Sequence, residues 1–235
     1  MQSVADFALI AHRQAQKTAV ATGIAVLALA AICLVTIHAG AIPIPPGTAT
    51  QLIAQQLGLV PADDGMQALR TILIDIRLPR VGLGILTGAG LAVAGVTLQG
   101  LFRNPLADPG LVGVSTGAAT AAAAFIVLGW PLFEYLSAPL LRHALPIAAF
   151  AGGLVTTVLI YAVATREGRT DVATLLLAGV AINAMAAACI GLLVFLSAEN
   201  ELRDLNFWML GSLNGVTWER LLVVGPLVLA AIVAR

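Results

Sequence analysis

Residues 81–133 read VGLGILTGAGLAVAGVTLQGLFRNPLADPGLVGVSTGAATAAAAFIVLGWPLF. Residues 81–102 and 109–133 carry no charge, and between them sit Arg103, Asn104, Pro105 and Asp108, with a second proline, Pro109, opening the later run. A bilayer hydrocarbon core of about 30 Å takes about 20 apolar residues per helix. The stretch therefore reads as two membrane-spanning helices joined by a short polar hinge.

The same reading extends along the chain. Hydrophobic residues make up 60% of it and charged ones only 10%, against roughly 45–50% and about 25% in soluble domains. Uncharged runs cover residues 18–62, 81–102, 109–133, 144–165, 172–198 and 221–234. The first run contains GAIPIPPGT, whose prolines and glycines end a helix near residue 39; residues 48–59 are then expected as a short surface helix. An all-α polytopic membrane protein follows, one transmembrane domain over residues 1–235. Its expected spans are about 18–39, 81–102, 109–130, 144–165, 172–197 and 217–234. The opening run is about twice the length of a signal-peptide core and further spans follow it, so it reads as a first span.

Orientation is not fixed by charge. With the N-terminus inside, six Lys/Arg fall on each side of the membrane, which leaves the positive-inside rule tied. Net charge is zero and the basic residues are scattered, so nothing points to nucleic acid. Cys33 and Cys189 lie inside apolar runs as small hydrophobes.

Several chemistries are disfavoured. Lys17, the single lysine, follows Gln16 and not a glycine loop, so no Walker A site exists to hold nucleotide phosphates. His12, His38 and His143 lack metal-ligand spacing, and no nucleophile elbow is present. No Asp, Glu, Lys or Arg lies in the middle of an expected span, which weighs against proton- or ion-coupled carriers. Helices in lipid associate through small residues four apart. Gly84, Gly88 and Ala92 form one such ridge in the second span, with Gly90 and Ala94 forming another. Gly113 and Gly117 begin the third span, and Gly179, Asn183, Ala187 and Gly191 run along the fifth. The second span thus suits a helix enclosed by neighbours. Gln99 and Asn183 are the polar side chains within spans, either as interhelical glue or as path lining.

The hinge repeats one device. Asn104-Pro105 and Asp108-Pro109 each place a favoured N-cap before a proline whose missing N–H had no partner. One unbroken helix from Pro105 would lose a bond at Pro109. A stepped entry is expected, with one turn from Pro105 and a restart at Pro109, presenting free N–H groups at the membrane surface. The hinge is either a capped turn or a working part.

Residues 77–117, RLPRVGLGILTGAGLAVAGVTLQGLFRNPLADPGLVGVSTG, resemble the permease subunits of ABC importers for iron siderophores, haem and cobalamin, the FecCD-type family. LLLAGVAIN (175–183) and FWMLGSLNGVTW (207–218) continue the resemblance, and the wording is most similar to haem permeases. The resemblance implies a type II ABC importer permease fold of ten spans with a cytoplasmic N-terminus in the bacterial inner membrane. Six spans are present, so the chain is expected to be incomplete at its C-terminus. It implies a homodimer around a central path, two cytoplasmic ATPase subunits holding ATP and Mg, and a periplasmic binding protein delivering haem or a related iron chelate. No cofactor and no enzymatic site of its own are implied. Ferric-siderophore or cobalamin import is the alternative, and a stand-alone channel or secondary carrier the alternative from another class.

Residue roles follow by position. The first Arg of RLPR, Arg77, is implied to dock the binding protein at the periplasmic mouth, with Arg80 as a second candidate; an interfacial anchor is the plainer role. The Gly179, Asn183 and Ala187 face is implied to flank the path. Residues 199–208 would form an outer gate helix. Asn104, Pro105, Asp108 and Pro109 would pass ATPase motion to the pore.

Overall fold

The computed structural model describes residues 2–61, 63–129 and 137–234. Four helical stretches are long and apolar enough to cross a membrane: His12–His38, Gln67–Phe102, His143–Ala164 and Val172–Leu196. Val114–Leu128 is a shorter apolar helix. Contacts divide the chain into two compact units, one made of the residues up to Gly88 and from Leu213 onward, the other of Ala89–Ser212.

In the first unit, helix α1 (Gln2–His38) ends where the glycine and proline cluster begins, and α2 (Pro46–Gln56) starts with the last proline of that cluster. Proline fits the first helical position because its absent N–H needs no partner there, so the cluster both ends one helix and starts the next. Ala49 and Leu52 of α2 pack with Ile44, Leu73 and Ile74 in a buried apolar cluster. A short helix α3 (Gln67–Arg70) leads into a π-helical turn at Thr71–Arg77 and then α4 (Leu78–Phe102). The second span therefore begins earlier than residue 81, and it does so across Pro79. Proline takes no part as a donor, and the chain absorbs this by widening, with Leu78 N–H reaching back five residues to the Leu73 carbonyl. The last helix of this unit, Trp218–Val233, is capped by the Thr217 hydroxyl, which accepts from Arg220 N–H at 3.4 Å.

In the second unit, α5 (Val114–Leu128) packs against α6 (Ala138–Ala164) and α7 (Val172–Leu196). Glycines set the spacing. A Cβ on Gly117 would come within 2.8 Å of the Gly152 carbonyl and strike the Thr156 hydroxyl, and one on Gly152 would strike Ala121. The α6–α7 connection is a two-residue hairpin, β1 (Thr165–Arg166) against β2 (Arg169–Thr170), turned by Glu167 and Gly168 at φ 52° and 75°. Two positive φ values match the twist of tight hairpins. Asp171 caps α7, and its carboxyl is held below the usual carboxylate range, first by the Thr174 hydroxyl and then by the Thr174 N–H. Helix α8 (Glu199–Leu210) packs on α5 through buried Leu205. Trp218–Val233 is α9.

Small-residue packing is thus concentrated where α5 meets α6. The apolar window of Gln67–Phe102 has none of its residues buried, and a Cβ at Gly88, Gly95 or Gly100 would meet nothing within 4 Å. Among the described residues, the expected enclosure of the second span is not met at Gly88, Gly95 or Gly100.

Candidate functional site

The hinge after α4 begins with a helix cap. Asn104 N–H reaches the Gln99 carbonyl at 3.2 Å and Arg103 N–H reaches Gly100 at 3.3 Å, with Arg103 at φ 49°. This bond pair closes a helix C-terminus and usually has glycine in the left-handed position. An arginine there bears backbone strain that glycine would not. Gln99, flagged from sequence for its side chain, serves here through its backbone carbonyl.

Both Asx-Pro pairs then adopt one local geometry. Asn104 Oδ1 accepts from Leu106 N–H at 2.9 Å, and Asp108 Oδ1 accepts from Gly110 N–H at 2.6 Å. Their outcomes differ. Pro105 lies in a single turn closed by Ala107 N–H to Asn104 O at 3.1 Å, whereas Pro109 opens a 3₁₀ turn, Pro109–Val112. Gly113, at φ 75°, then breaks the direction before α5 starts. The entry is stepped, with one more step than expected. Leu106, at its tip, is 85% exposed, while neighbouring Ala107 is buried.

The hinge is wired to the middle of α7. Asn183 Nδ2 donates to the Gly110 carbonyl at 3.2 Å, and Asn183 Oδ1 accepts from the Thr116 hydroxyl at 2.5 Å. A single residue links the two ends of the relay, since Gly110 donates its N–H to Asp108 and its carbonyl accepts from Asn183. A Cβ on Gly113 would come within 3.3 Å of Asn183 Oδ1 and 2.8 Å of Ile160, so the bare glycine permits the approach. The structure therefore brings Asp108, Pro109 and Asn183 into one connected site, with Asn104 and Pro105 in the turn that precedes it. Thr116 and Gly110 complete it, and sequence reading named neither.

The small-residue face of α7 divides. Leu175, Gly179 and Ala186 are buried, and Asn183 is half-buried beside them, whereas Ala187 is exposed. Asn183 thus faces α5 and the 3₁₀ turn within this unit. Its geometry is that of interhelical glue.

Arg77 and Arg80 belong to the first unit. Arg77 is 8% exposed, and its guanidinium donates to the carbonyls of Ile37 at 2.6 Å and Ile42. Arg80 is half-buried, and its Nε has no hydrogen-bond partner among the described residues. The Arg77 guanidinium is thus engaged by carbonyls of its own chain. Among the described residues no group of three His, Cys, Asp or Glu is placed to hold a metal.

Comparison with known proteins gives the family. The FecCD transport family model matches residues 27–234. The chain belongs to the FecCD transport family. FecCD relatives include the hemin transport system permease protein HmuU of Yersinia pestis, 44% identical over 158 residues, covering 67% of this chain and 46% of that one. They also include the cobalamin import system permease protein BtuC of Halobacterium salinarum, 38% identical over 204 residues, covering 84% of this chain and 53% of that one. A solved inward-facing ABC transporter assigned to the metal-chelate type shares the fold, with TM-score 0.64 and 28% identity over 84% of this chain and 55% of its own. The chain thus spans about half the length of the FecCD proteins it matches, and its architecture is that of an ABC importer permease.

Proposed function

We propose that the chain is the membrane-spanning permease of an ATP-driven importer, lacking an ATPase site of its own. Two copies would form a central path in a bacterial inner membrane, with cytoplasmic N-termini. Two ATPase subunits would hold ATP and Mg, and a periplasmic binding protein would deliver cargo to the rim carrying Arg77 and Arg80. One observation carries the mechanistic part of this reading: the relay from Asp108 through Gly110 to Asn183 and Thr116. A surface hinge bonded to the middle of a long apolar helix gives displacement at one a direct route to the other. The strained Arg103 and the exposed Leu106 leave the hinge tip open to a partner. Ala187 and the rest of the exposed side of α7 are the proposed path wall.

Haem is the proposed cargo, on the 44% identity to a haem permease and on the apolar character of the exposed side of α7. The cobalamin relatives at 38% make cobalamin the second reading. The test is ATP-dependent uptake into liposomes carrying the permease, its ATPase subunits and its binding protein, with haem, a ferric siderophore and cobalamin compared. Haem should be taken up several-fold faster than the others. Faster uptake of cobalamin or siderophore would replace haem, and uptake without ATP would establish a channel instead.

A further inference from the structure

Helix α1 is packed near its C-terminus and bare over the rest of its described side chains. Ile37 packs against the buried cluster of the first unit, whereas residues 12–32 are exposed throughout. Length fixes how that bare part sits in a bilayer. The uncharged stretch from Thr18 to His38 is about 31 Å long at 1.5 Å per residue, which is the thickness of the hydrocarbon core. With His38 at one boundary, Lys17 therefore falls at the other, and Arg13 lies one turn further out among the headgroups.

A groove crosses that boundary. Arg13, Gln16 and Lys17 line its outer end, and Val20, Ala21 and Ile24 line the part below. Steps of three and four residues put all six on one helix face. Val20 and Ile24 are 62% and 63% exposed. Gln16 is engaged with His12, their side-chain nitrogens 3.2 Å apart, while among the described residues neither Arg13 nor Lys17 has a hydrogen-bond or ion-pair partner. The nearest acids in sequence are Asp6 and Asp63. Asp6 stands about 10 Å further out along the helix, and Asp63 lies beyond its far end.

Two unpaired cations directly above an apolar strip define what fits. A phosphate accepts from both cations at once, and an acyl chain covers the strip that continues from them. An acidic protein surface or a free anion would satisfy the cations and leave the apolar part of the groove bare.

We infer that this groove seats an anionic phospholipid, its phosphate bridging Arg13 and Lys17 and one acyl chain lying along Val20, Ala21 and Ile24. The seated lipid fixes the depth of α1, whose 37 residues could otherwise slide through a core that takes about 20. The inference needs α1 to span a membrane and is independent of the cargo.

The test is retention of phosphatidylglycerol and phosphatidylcholine by the permease in its assembled complex, read by native mass spectrometry. Phosphatidylglycerol should be held in preference. Arg13→Gln and Lys17→Gln should each weaken it about fivefold and the paired variant about thirtyfold, one such step for each basic residue near an anionic surface. Phosphatidylcholine should be unaffected. Ala21→Phe fills the apolar part, keeps both cations and should also weaken phosphatidylglycerol several-fold. Arg166→Gln combined with Arg169→Gln is the control, since those arginines stand beside Glu167 and Asp171, and should retain the lipid as wild type does. Should the paired α1 variant fail to insert, wild type decides by ionic strength: phosphatidylglycerol should loosen as salt rises and phosphatidylcholine should not. Undiminished retention in the paired variant, or salt-independent retention in wild type, would overturn the inference. Equal loss in the hairpin control would mean a general surface charge, and displacement by excess glycerol phosphate would mean a free-phosphate site; either result also overturns it. So would phosphatidylglycerol held by the permease alone but not in the complex, which would assign the two cations to a protein partner.

Discussion

Asn183 uses both ends of its amide across helix boundaries, which makes it the residue where glue and mechanism meet. Interhelical hydrogen bonds in membrane proteins average about 0.6 and reach about 1.7 kcal/mol. A double-mutant cycle of Asn183→Leu with Thr116→Val, read by unfolding in mixed micelles, should give a coupling of about 1 kcal/mol. Additive effects would mean the short Thr116 contact contributes nothing. The Asx-Pro turns were legible because Asn104 and Asp108 reach only two residues ahead. Asn183 was legible as polar, but its partner was not. Gly110 lies 73 residues away, and a backbone carbonyl leaves no mark in the side-chain pattern. The same blindness hid the partners of Arg77, whose two acceptors are carbonyls 40 and 35 residues back.

Among the elements, α5 and α6 make the closest approach, backbone against backbone. Gly117 was readable from its four-residue spacing with Gly113, but Gly152 acquires meaning only when α6 is laid against it. Gly152→Val forces a side chain toward the Gly117 carbonyl, where a Cβ would stand at 2.5 Å and also strike Ala121. Overpacking of this kind costs about 1–3 kcal/mol or more. The variant should lose several degrees in the detergent melting temperature. Gly88→Ala, where a Cβ meets nothing within 4 Å, should melt as wild type does. Equal melting of both variants would refute the close contact. The π turn shows a different limit. A proline inside an apolar run signals a break, yet here the helix continues by widening, because Trp218 takes the carbonyl that Pro79 leaves open.

At the scale of the whole molecule, the class of protein was readable and its cargo was not, for one reason. The residues that carry the resemblance are packing glycines, Asx caps and helix-end prolines, and these serve any ligand that passes between the helices. Haem and cobalamin permeases can therefore share them. What those residues do specify is a mechanical connection, and its consequence is a prediction about coupling. If the hinge drives α7 through Gly110, then Asp108→Ala and Asn183→Leu break the same connection at two points. Each should lower cargo moved per ATP hydrolysed, and the double variant should do little worse than the poorer single one, since residues acting as a unit are non-additive. Asn104→Ala, whose turn lies before the relay, should add its own smaller loss. Unchanged uptake per ATP in Asp108→Ala would reduce the hinge to a helix cap. Losses that multiply in the double variant would mean that Asp108 and Asn183 act on transport by separate routes.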